Sequence, residues 1–417
     1  MVLEFVAVGR GLAAAALTIF VLWLLQPAAA KLNLLDFPRG RKDHAHPTPV
    51  TGGLAMAVGI LVMGFSSYDA GPSFLGFALG AALLIVVGLL DDLYDVKWYW
   101  RIVAQIIAAL LMVYIGGVQV QQLGPVFGLG EMSLGVLSVP FTVFATVGLI
   151  NAINMSDGAD GLAGLLVAAA LVMLMAAAIY AGNAVISERL MIMLGAVVAF
   201  LSNNMRFPWQ PKARLFMGNA GSAFLGFVIA WAAFRLTQNE GHPVSPVLAL
   251  WFVPIPVMDT LVLMLRRMRG RKSPFIADRN HIHHLMLEAG FGPTQAALTL
   301  AFFSLLCGLA AGQALRMDIP HPWLLGAFGL MCAGWYWLTS RRERAIGMFR
   351  YIVASRQPVL PPAAGTGVSD EIFLLAPVPV TLFRPPARTG ALRPSPRTSA
   401  TAGRQAMRAR SRNADGT

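Results

Sequence analysis

Three carboxylates stand together at the end of a long apolar run. Asp91, Asp92 and Asp95 follow a stretch, residues 72–90, that contains no charged residue. Residues four apart lie on one face of a helix, so Asp91 and Asp95 are expected to face the same way. Like charges beside an apolar environment are costly unless a cation neutralises them. The cluster therefore predicts a Mg²⁺ site shared with a phosphate group, with a solvated acidic loop as the alternative.

A second polar segment joins two apolar runs between residues 151 and 161. It contains two amides, two carboxylates and two glycines: Asn151, Asn154, Asp157, Asp160, Gly158 and Gly161. Glycine lets the backbone approach a ligand closely. Amides and free N–H groups suit a nucleotide or the surroundings of a metal ion. A capped turn between two helices is the alternative.

A third segment, residues 216–222, consists mainly of small residues and leads into another apolar run. Asn219 stands in its centre. The start of a helix built from small residues is suited to binding an anion. Taken alone, the segment also fits an ordinary helix cap.

Histidines mark a fourth segment. His281, His283 and His284 lie within four residues and close to Arg279. Histidines at this spacing could bind Zn²⁺ in a membrane protease, but the sequence has no HExxH motif. Arginine beside histidine is better suited to a diphosphate, and a solvated loop is the alternative. Lys42, in the first polar loop, is a further candidate phosphate contact.

These polar segments alternate with apolar runs that are long enough to cross a membrane. Hydrophobic residues make up 57% of the 417 residues and charged residues only 12%, against about 25% charged in soluble domains. A spanning helix needs about 20 mostly apolar residues. Runs of about this length cover residues 5–25, 50–67, 73–90, 101–117, 136–153, 161–181, 190–204, 220–236, 245–265, 295–314 and 323–339. We therefore predict an all-α, polytopic membrane bundle of about 11 transmembrane helices.

The distribution of basic residues orients this bundle. Alternate loops contain fifteen cations: Lys31, Arg39, Arg41, Lys42, Lys97, Arg101, Arg206, Lys212, Arg214, Arg266, Arg267, Arg269, Arg271, Lys272 and Arg279. The opposite loops contain only Arg189, Arg235 and Arg316. Because cytoplasmic loops are enriched in Lys and Arg, the N-terminus is predicted to be periplasmic and the C-terminus cytoplasmic. A cleaved signal peptide at the first run is an alternative, but it would place the first basic loop outside.

Composition changes towards the C-terminus. We predict a transmembrane catalytic domain at 1–345, with its functional loops in the cytoplasm. Residues 346–417 form a basic tail, rich in Pro, Ala and Arg, that lacks a sustained apolar pattern and is predicted to be disordered. The net charge of +12 suits membrane orientation and anionic head groups, so no nucleic-acid partner is expected.

Taken together, the motifs resemble those of the polyprenyl-phosphate N-acetylhexosamine-1-phosphate transferases over roughly residues 30–345. The resemblance rests on Asp36-x-Pro38, Arg41-Lys42-x-His44, Gly52-Gly53, Asp91-Asp92-x-x-Asp95, Asn151-x-x-Asn154-x-x-Asp157-Gly158-x-Asp160-Gly161 and Ser273-Pro274-Phe275…Asp278-Arg279-x-His281-Ile282-His283-His284. The His-Ile-His-His order and the segment His242–Trp251 are most similar to the bacterial undecaprenyl-phosphate α-N-acetylglucosaminyl-1-phosphate transferase branch.

The resemblance implies a reaction and a location. The expected substrates are UDP-GlcNAc and undecaprenyl phosphate, which would give undecaprenyl-diphosphate-GlcNAc and UMP. This would be the first membrane step of O-antigen, common-antigen or a related envelope polysaccharide. The expected cofactor is Mg²⁺, with Mn²⁺ as an alternative, and the expected place is the inner membrane with the active site facing the cytoplasm. A homodimer is left open, as is the choice between direct attack and a phosphorylated aspartate.

The resemblance also implies residue roles. The expected catalytic residues are Asp91, Asp92, Asp157, Asp160 and His281. The expected substrate contacts are Lys42, Asn154, Arg266, Arg279, His283 and His284. The expected metal ligands are Asp92 and the residue at position 219.

Position 219 departs from the family pattern. The family has an aspartate that binds the metal there, whereas this chain has Asn219, which offers a neutral oxygen instead of a carboxylate. A homologue that binds substrate but is catalytically impaired, by nature or by engineering, is therefore the main alternative. A polyprenyl synthase would need a second Asp-Asp-x-x-Asp motif, and a transporter would need more charges at the membrane midplane.

Overall fold

The computed structural model describes residues 2–36, 47–67, 71–128, 130–238, 244–273 and 279–354. Lys42 and residues 274–278 therefore lie outside the described residues. Within these ranges the chain forms fourteen α-helices, a 3₁₀ turn at Gly135–Leu137 and a short antiparallel ribbon of β1 (Leu35–Asp36) and β2 (Thr48–Pro49). The helices are α1 Val2–Ala28, α2 Gly52–Phe65, α3 Pro72–Tyr94, α4 Trp98–Tyr114, α5 Ser138–Ser156, α6 Leu162–Tyr180, α7 Ala184–Asn204, α8 Gly218–Thr237, α9 Pro246–Leu250, α10 Pro254–Arg269, α11 Ile282–Glu288, α12 Pro293–Arg316, α13 His321–Thr339 and α14 Arg342–Ala354.

The predicted apolar runs all correspond to helices, which confirms the all-α prediction. Seven helices of the described residues are long and apolar enough to cross a membrane: α1, α3, α5, α6, α7, α8 and α12. Helices α2 and α4 are apolar but shorter. The run predicted at 245–265 is divided between α9 and α10, and α10 begins at Pro254, a residue that favours the first turn of a helix. The count of about eleven spans stays a prediction.

Helix α8 lies at the centre of the larger core. Its aromatic residues Phe224, Phe227 and Trp231 are fully buried. Glycines let its neighbours approach unusually closely: a Cβ added to Gly88 of α3 would lie 2.3 Å from the Cα of Ala220. This contact brings the acidic end of α3 beside the first turn of α8.

A smaller core supports the histidine segment. Apolar residues of α11, among them Leu285 and Met286, are buried in one cluster with Ile346 and Phe349 of α14. Helix α14 thus continues across the predicted domain boundary at 345/346 and ends at Ala354. The histidines are therefore attached to the bundle through a packed helical segment that the sequence pattern did not predict.

Candidate active site

Asp91 lies in the last turn of α3 and lines a cavity. The residue is 4% exposed, and the Arg101 Nη1 donates a hydrogen bond to its Oδ2 over 3.1 Å. Arg101 is the fourth residue of α4, and its side chain is 39% exposed. The pair places one carboxylate and one guanidinium side by side, where an incoming phosphate could contact the guanidinium.

Asp92, unlike Asp91, contacts the start of α8. Its Oδ1 accepts the N–H of Asn219 at 2.9 Å, and its Oδ2 accepts the N–H of Ala220 at 3.3 Å. Gly218 makes this approach possible, because its φ is +76° and an added Cβ would lie 2.6 Å from Asp92 Oδ2. A carboxylate is stabilised at a helix N-terminus, where free N–H groups carry partial positive charge. Asp92 therefore holds the start of α8 and fixes the position of Asn219.

Helix α5 supplies the amide side chains. Asn154 Nδ2 donates to Ser222 Oγ at 2.7 Å and to Asn219 Oδ1 at 3.4 Å. One turn earlier, Asn151 Nδ2 donates to Gln105 Oε1 at 2.7 Å. These contacts join α4, α5 and α8 around one polar space.

The turn after α5 carries two more carboxylates. Asp160 pairs with Arg206, whose Nε lies 2.6 Å from Oδ2. Desolvation of the Asp157 carboxyl group by the protein around it raises its pKa to about 7, and the nearby carboxylates of Asp92 and Asp160 add to this rise. A carboxylate in this position is more easily ionised when a cation arrives. Neither residue is among the described residues that line the cavity around Asp91.

The histidines lie on the other side of the same space. The Nδ1 of His281 lies 2.8 Å from the Oδ2 of Asp259, which is 4% exposed on α10. His283 is buried, and its ring packs against Gly158, where an added Cβ would lie 2.2 Å from Nε2. Burial, then the neighbouring His284 and His281, lower the pKa of His283 well below its usual value. His283 thus fits a neutral packing contact, whereas His281 and His284 face the cavity.

One cavity of about 320 Å³ joins these groups. Its polar lining consists of Asp91, Arg101, Gln105, Asn151, Asn154, Asn219, Arg267, His281 and His284, and its apolar lining includes Leu84, Val87, Trp98 and Ile102. Five predicted site residues are thus brought together: Asp91, Asn154, Asn219, His281 and His284. A space with both charged and apolar lining can accept a phosphate on a hydrophobic chain.

Other predicted residues lie around the cavity. Among the described residues, its lining includes Arg267 and not Arg266. Arg279 is exposed, and its carbonyl accepts a hydrogen bond from Arg342 Nη1 at 2.9 Å. Asp259 was not among the predicted site residues, although a lone aspartate within an apolar run is itself a signal of a functional or paired group.

The oxygen donors of the cavity fit a magnesium ion shared with substrate. The described residues contain no group of three His, Cys, Asp or Glu side chains that could hold a metal ion by themselves. Mg²⁺ does not require such a cage, because it commonly takes one or two protein oxygens and completes its shell with water and phosphate. The carboxylate of Asp91 and the amide oxygen of Asn219 are suitable ligands, while both oxygens of Asp92 already accept backbone N–H groups.

The sequence of this chain is similar to those of known proteins. Residues 74–237 match the family described as glycosyl transferase family 4. A relative from Escherichia coli K12, named undecaprenyl-phosphate alpha-N-acetylglucosaminyl 1-phosphate transferase, is 34% identical over 336 residues, which are 80% of this chain and 90% of the relative. This chain belongs to the same family as that transferase.

Further family members from other bacteria have the same name. The relative from Yersinia pestis is 31% identical over 79% of this chain and 90% of its own length. The relative from Haemophilus influenzae is 36% identical over 70% of this chain and 84% of its own length. The match to the glycosyl transferase family 4 and the identity of 31–36% to these named transferases together confirm the resemblance. The family match extends from α3 to α8, and the histidine segment lies beyond it.

Proposed function

We propose that this protein transfers GlcNAc-1-phosphate from UDP-GlcNAc to undecaprenyl phosphate and releases UMP. The observation that carries the proposal is the single cavity in which the Asp91–Arg101 pair faces His281 and His284. Relatives of nearly full length, which bear the name of such a transferase, support the choice of substrates.

The reaction requires two anions to meet. An oxygen of the lipid phosphate attacks the phosphorus that carries GlcNAc, a new P–O bond forms, and the bond to the UMP oxygen breaks. When bound, Mg²⁺ would neutralise charge on the diphosphate and improve UMP as a leaving group. The protein must otherwise supply cations and correct placement.

The position of each residue in or beside the cavity indicates its role in the reaction. Asp91 holds or activates the lipid phosphate beside Arg101, and the apolar lining of α3 and α4 receives the start of the lipid chain. Arg267 and His284 contact the diphosphate, His281 lies where the lipid phosphate and the diphosphate meet, and Asn154 with Asn219 serves the nucleotide and the metal ion. Asp92 acts by holding Asn219 in place. Roles for Lys42, Asp157, Asp160, Arg266, Arg279 and His283, and the homodimer, stay predictions.

The lipid product provides the test of this function. Purified protein would be incubated with undecaprenyl phosphate, Mg²⁺ and either UDP-GlcNAc or UDP-GalNAc, and the lipid fraction analysed by mass spectrometry. We expect undecaprenyl-diphosphate-GlcNAc as the main product. If product forms only from UDP-GalNAc, the transferred sugar is GalNAc and not GlcNAc. Binding of both substrates without any product would favour the impaired homologue suggested by Asn219.

We also propose the orientation that the charges indicate: about eleven spans, a periplasmic N-terminus and a cytoplasmic active site in the bacterial inner membrane. The excess of Lys and Arg in alternate loops supports this orientation. In a background with Cys307 and Cys332 replaced by Ala, a cysteine at 272 should be protected from an impermeant thiol reagent outside intact cells. A cysteine at 69 or 240 should react. Labelling at 272 from outside would reverse the orientation.

A further inference from the structure

Asp259 is a buried carboxylate that belongs to no motif of the site. It lies on α10, is 4% exposed, and has three hydrogen-bond partners. Its Oδ1 accepts the backbone N–H of Ile282 at 3.2 Å and the Nε1–H of Trp335 at 3.1 Å. Its Oδ2 lies 2.8 Å from the Nδ1 of His281. The carboxylate thus joins α10, α11 and α13 at the edge of the cavity.

These partners fix which nitrogen of His281 carries a proton. An ionised carboxylate only accepts hydrogen bonds, so Nδ1 of His281 must be the donor to Oδ2. The second nitrogen, Nε2, is then left for the cavity that His281 lines. A hydrogen bond to one ring nitrogen is the usual way in which proteins set the role of the other.

We propose that Asp259 is a positioning residue that keeps His281 in the Nδ1–H form, so that Nε2 can accept a proton from a substrate phosphate. This inference rests on the proposed function. Nε2 takes the proton of the lipid phosphate monoanion as the phosphate oxygen forms the new P–O bond. The same proton then goes to a phosphate oxygen of the departing UMP, so that the ring returns to its starting form.

The substitution Asp259→Asn separates this role from a structural one. Trp335 and Ile282 both present N–H donors to Oδ1, so the amide oxygen of an asparagine should remain on that side. The NH₂ group then replaces Oδ2 and donates to Nδ1. As a result, the proton of the neutral ring must move to Nε2, while side-chain size and two of the three hydrogen bonds are preserved.

Two measurements on the full-length protein in detergent test the proposal. The ¹⁵N chemical shifts of labelled histidine, with His281 assigned by comparison with His281→Gln, report which nitrogen is protonated in the neutral ring. We expect Nδ1–H in the unmodified protein and Nε2–H in Asp259→Asn. The kcat for UMP formation should fall by about 10²–10⁴-fold, whereas KM for UDP-GlcNAc should change little.

Trp335→Phe is the matched control, because it removes one donor to Oδ1 but leaves the contact between Asp259 and His281. It should keep the Nδ1–H form and lose much less activity than Asp259→Asn. An Nε2–H form in the unmodified protein, or a nearly unchanged kcat in Asp259→Asn, would overturn the proposal. If the unmodified protein forms no UMP from UDP-GlcNAc, the proposed function and the proton transfer fail, and the ¹⁵N shifts still decide whether Asp259 sets the form of His281.

Discussion

The two sides of the cavity are held in place by different means. The acidic side, Asp91, Asp92 and Asn219, is fixed by direct contact between the backbones of α3 and α8 near Gly88. The histidine side, His281 and His284, stands on or beside α11, a helix of seven residues that packs in the smaller core, and hydrogen bonds to Asp259 hold His281 and the start of α11 in place. Close backbone packing tolerates little change in size, whereas polar anchors can be altered with less effect on folding. The acidic side should therefore be sensitive to volume, and the histidine side to hydrogen bonding.

The largest effect on turnover is expected at Asp91. Asp91→Asn keeps the size of the side chain but removes the charge that faces Arg101 and the cavity. We expect kcat to fall by about 10²–10⁴-fold, with a melting temperature close to that of the unmodified protein. Asp92→Asn is the informative companion, because it weakens the hold on α8 and should lower stability by about 1 kcal/mol. Equal losses of kcat and of stability in both variants would show that the two carboxylates do not have separate roles.

The volume sensitivity of the acidic side is tested at Gly88. In Gly88→Ala the new Cβ would lie 2.3 Å from the backbone of Ala220, so α3 and α8 must separate. We expect destabilisation of about 1–3 kcal/mol, together with lower activity because Asp92 moves away from Asn219. Gly148→Ala is the control, since a Cβ there has no atom within 4 Å. If thermal melting in detergent shows the same stability for both variants, close packing does not hold the acidic side.

Several residues of the candidate site were predictable from the sequence, because motif residues are visible without their partners. The apolar runs predicted the helices, and the motifs predicted a site that includes Asp91, Asn154 and His281. What holds these residues could not be predicted in the same way. That Asp92 binds the N-terminus of α8 depends on the packing of α3 against α8, and the contact between Asp259 and His281 joins residues 22 positions apart. Arg266 and Arg267 are neighbouring arginines, so the sequence alone does not show which of them reaches the cavity. The rotation of α10 about its axis decides that Arg267 lines it.

Substitution of Asn219 is expected to have an effect of intermediate size on the Mg²⁺ dependence of UMP formation. Its amide oxygen accepts from Asn154 and contributes no charge, so Asn219→Asp should bind Mg²⁺ more tightly. The gain should appear as UMP formation at a lower Mg²⁺ concentration, and Asn219→Ala should show none. If Asn219→Asp and the unmodified protein have the same Mg²⁺ dependence, the residue at position 219 is not a metal ligand.

The smallest effect is expected at an outer anchor of the histidine side. Arg342 donates to the Arg279 carbonyl and to Asn280 Oδ1, and it pairs with Glu288. Because exposed ion pairs contribute little, Arg342→Ala should lower stability by less than about 1 kcal/mol and raise KM for UDP-GlcNAc slightly. Arg344→Ala, whose partner is Trp337, is the control. A loss of kcat as large as that of Asp259→Asn would show that α14 fixes the histidines more strongly than Asp259 does.

The most direct test of the central claim is UMP release from UDP-GlcNAc by the purified protein. The assay would be run with and without undecaprenyl phosphate, with and without Mg²⁺, and with the Asp91→Asn variant. We predict that UMP forms only when the lipid phosphate and Mg²⁺ are both present, and that the variant loses nearly all activity. UMP release without lipid phosphate, or full activity of Asp91→Asn, would contradict a transfer reaction in the cavity between Asp91 and His281.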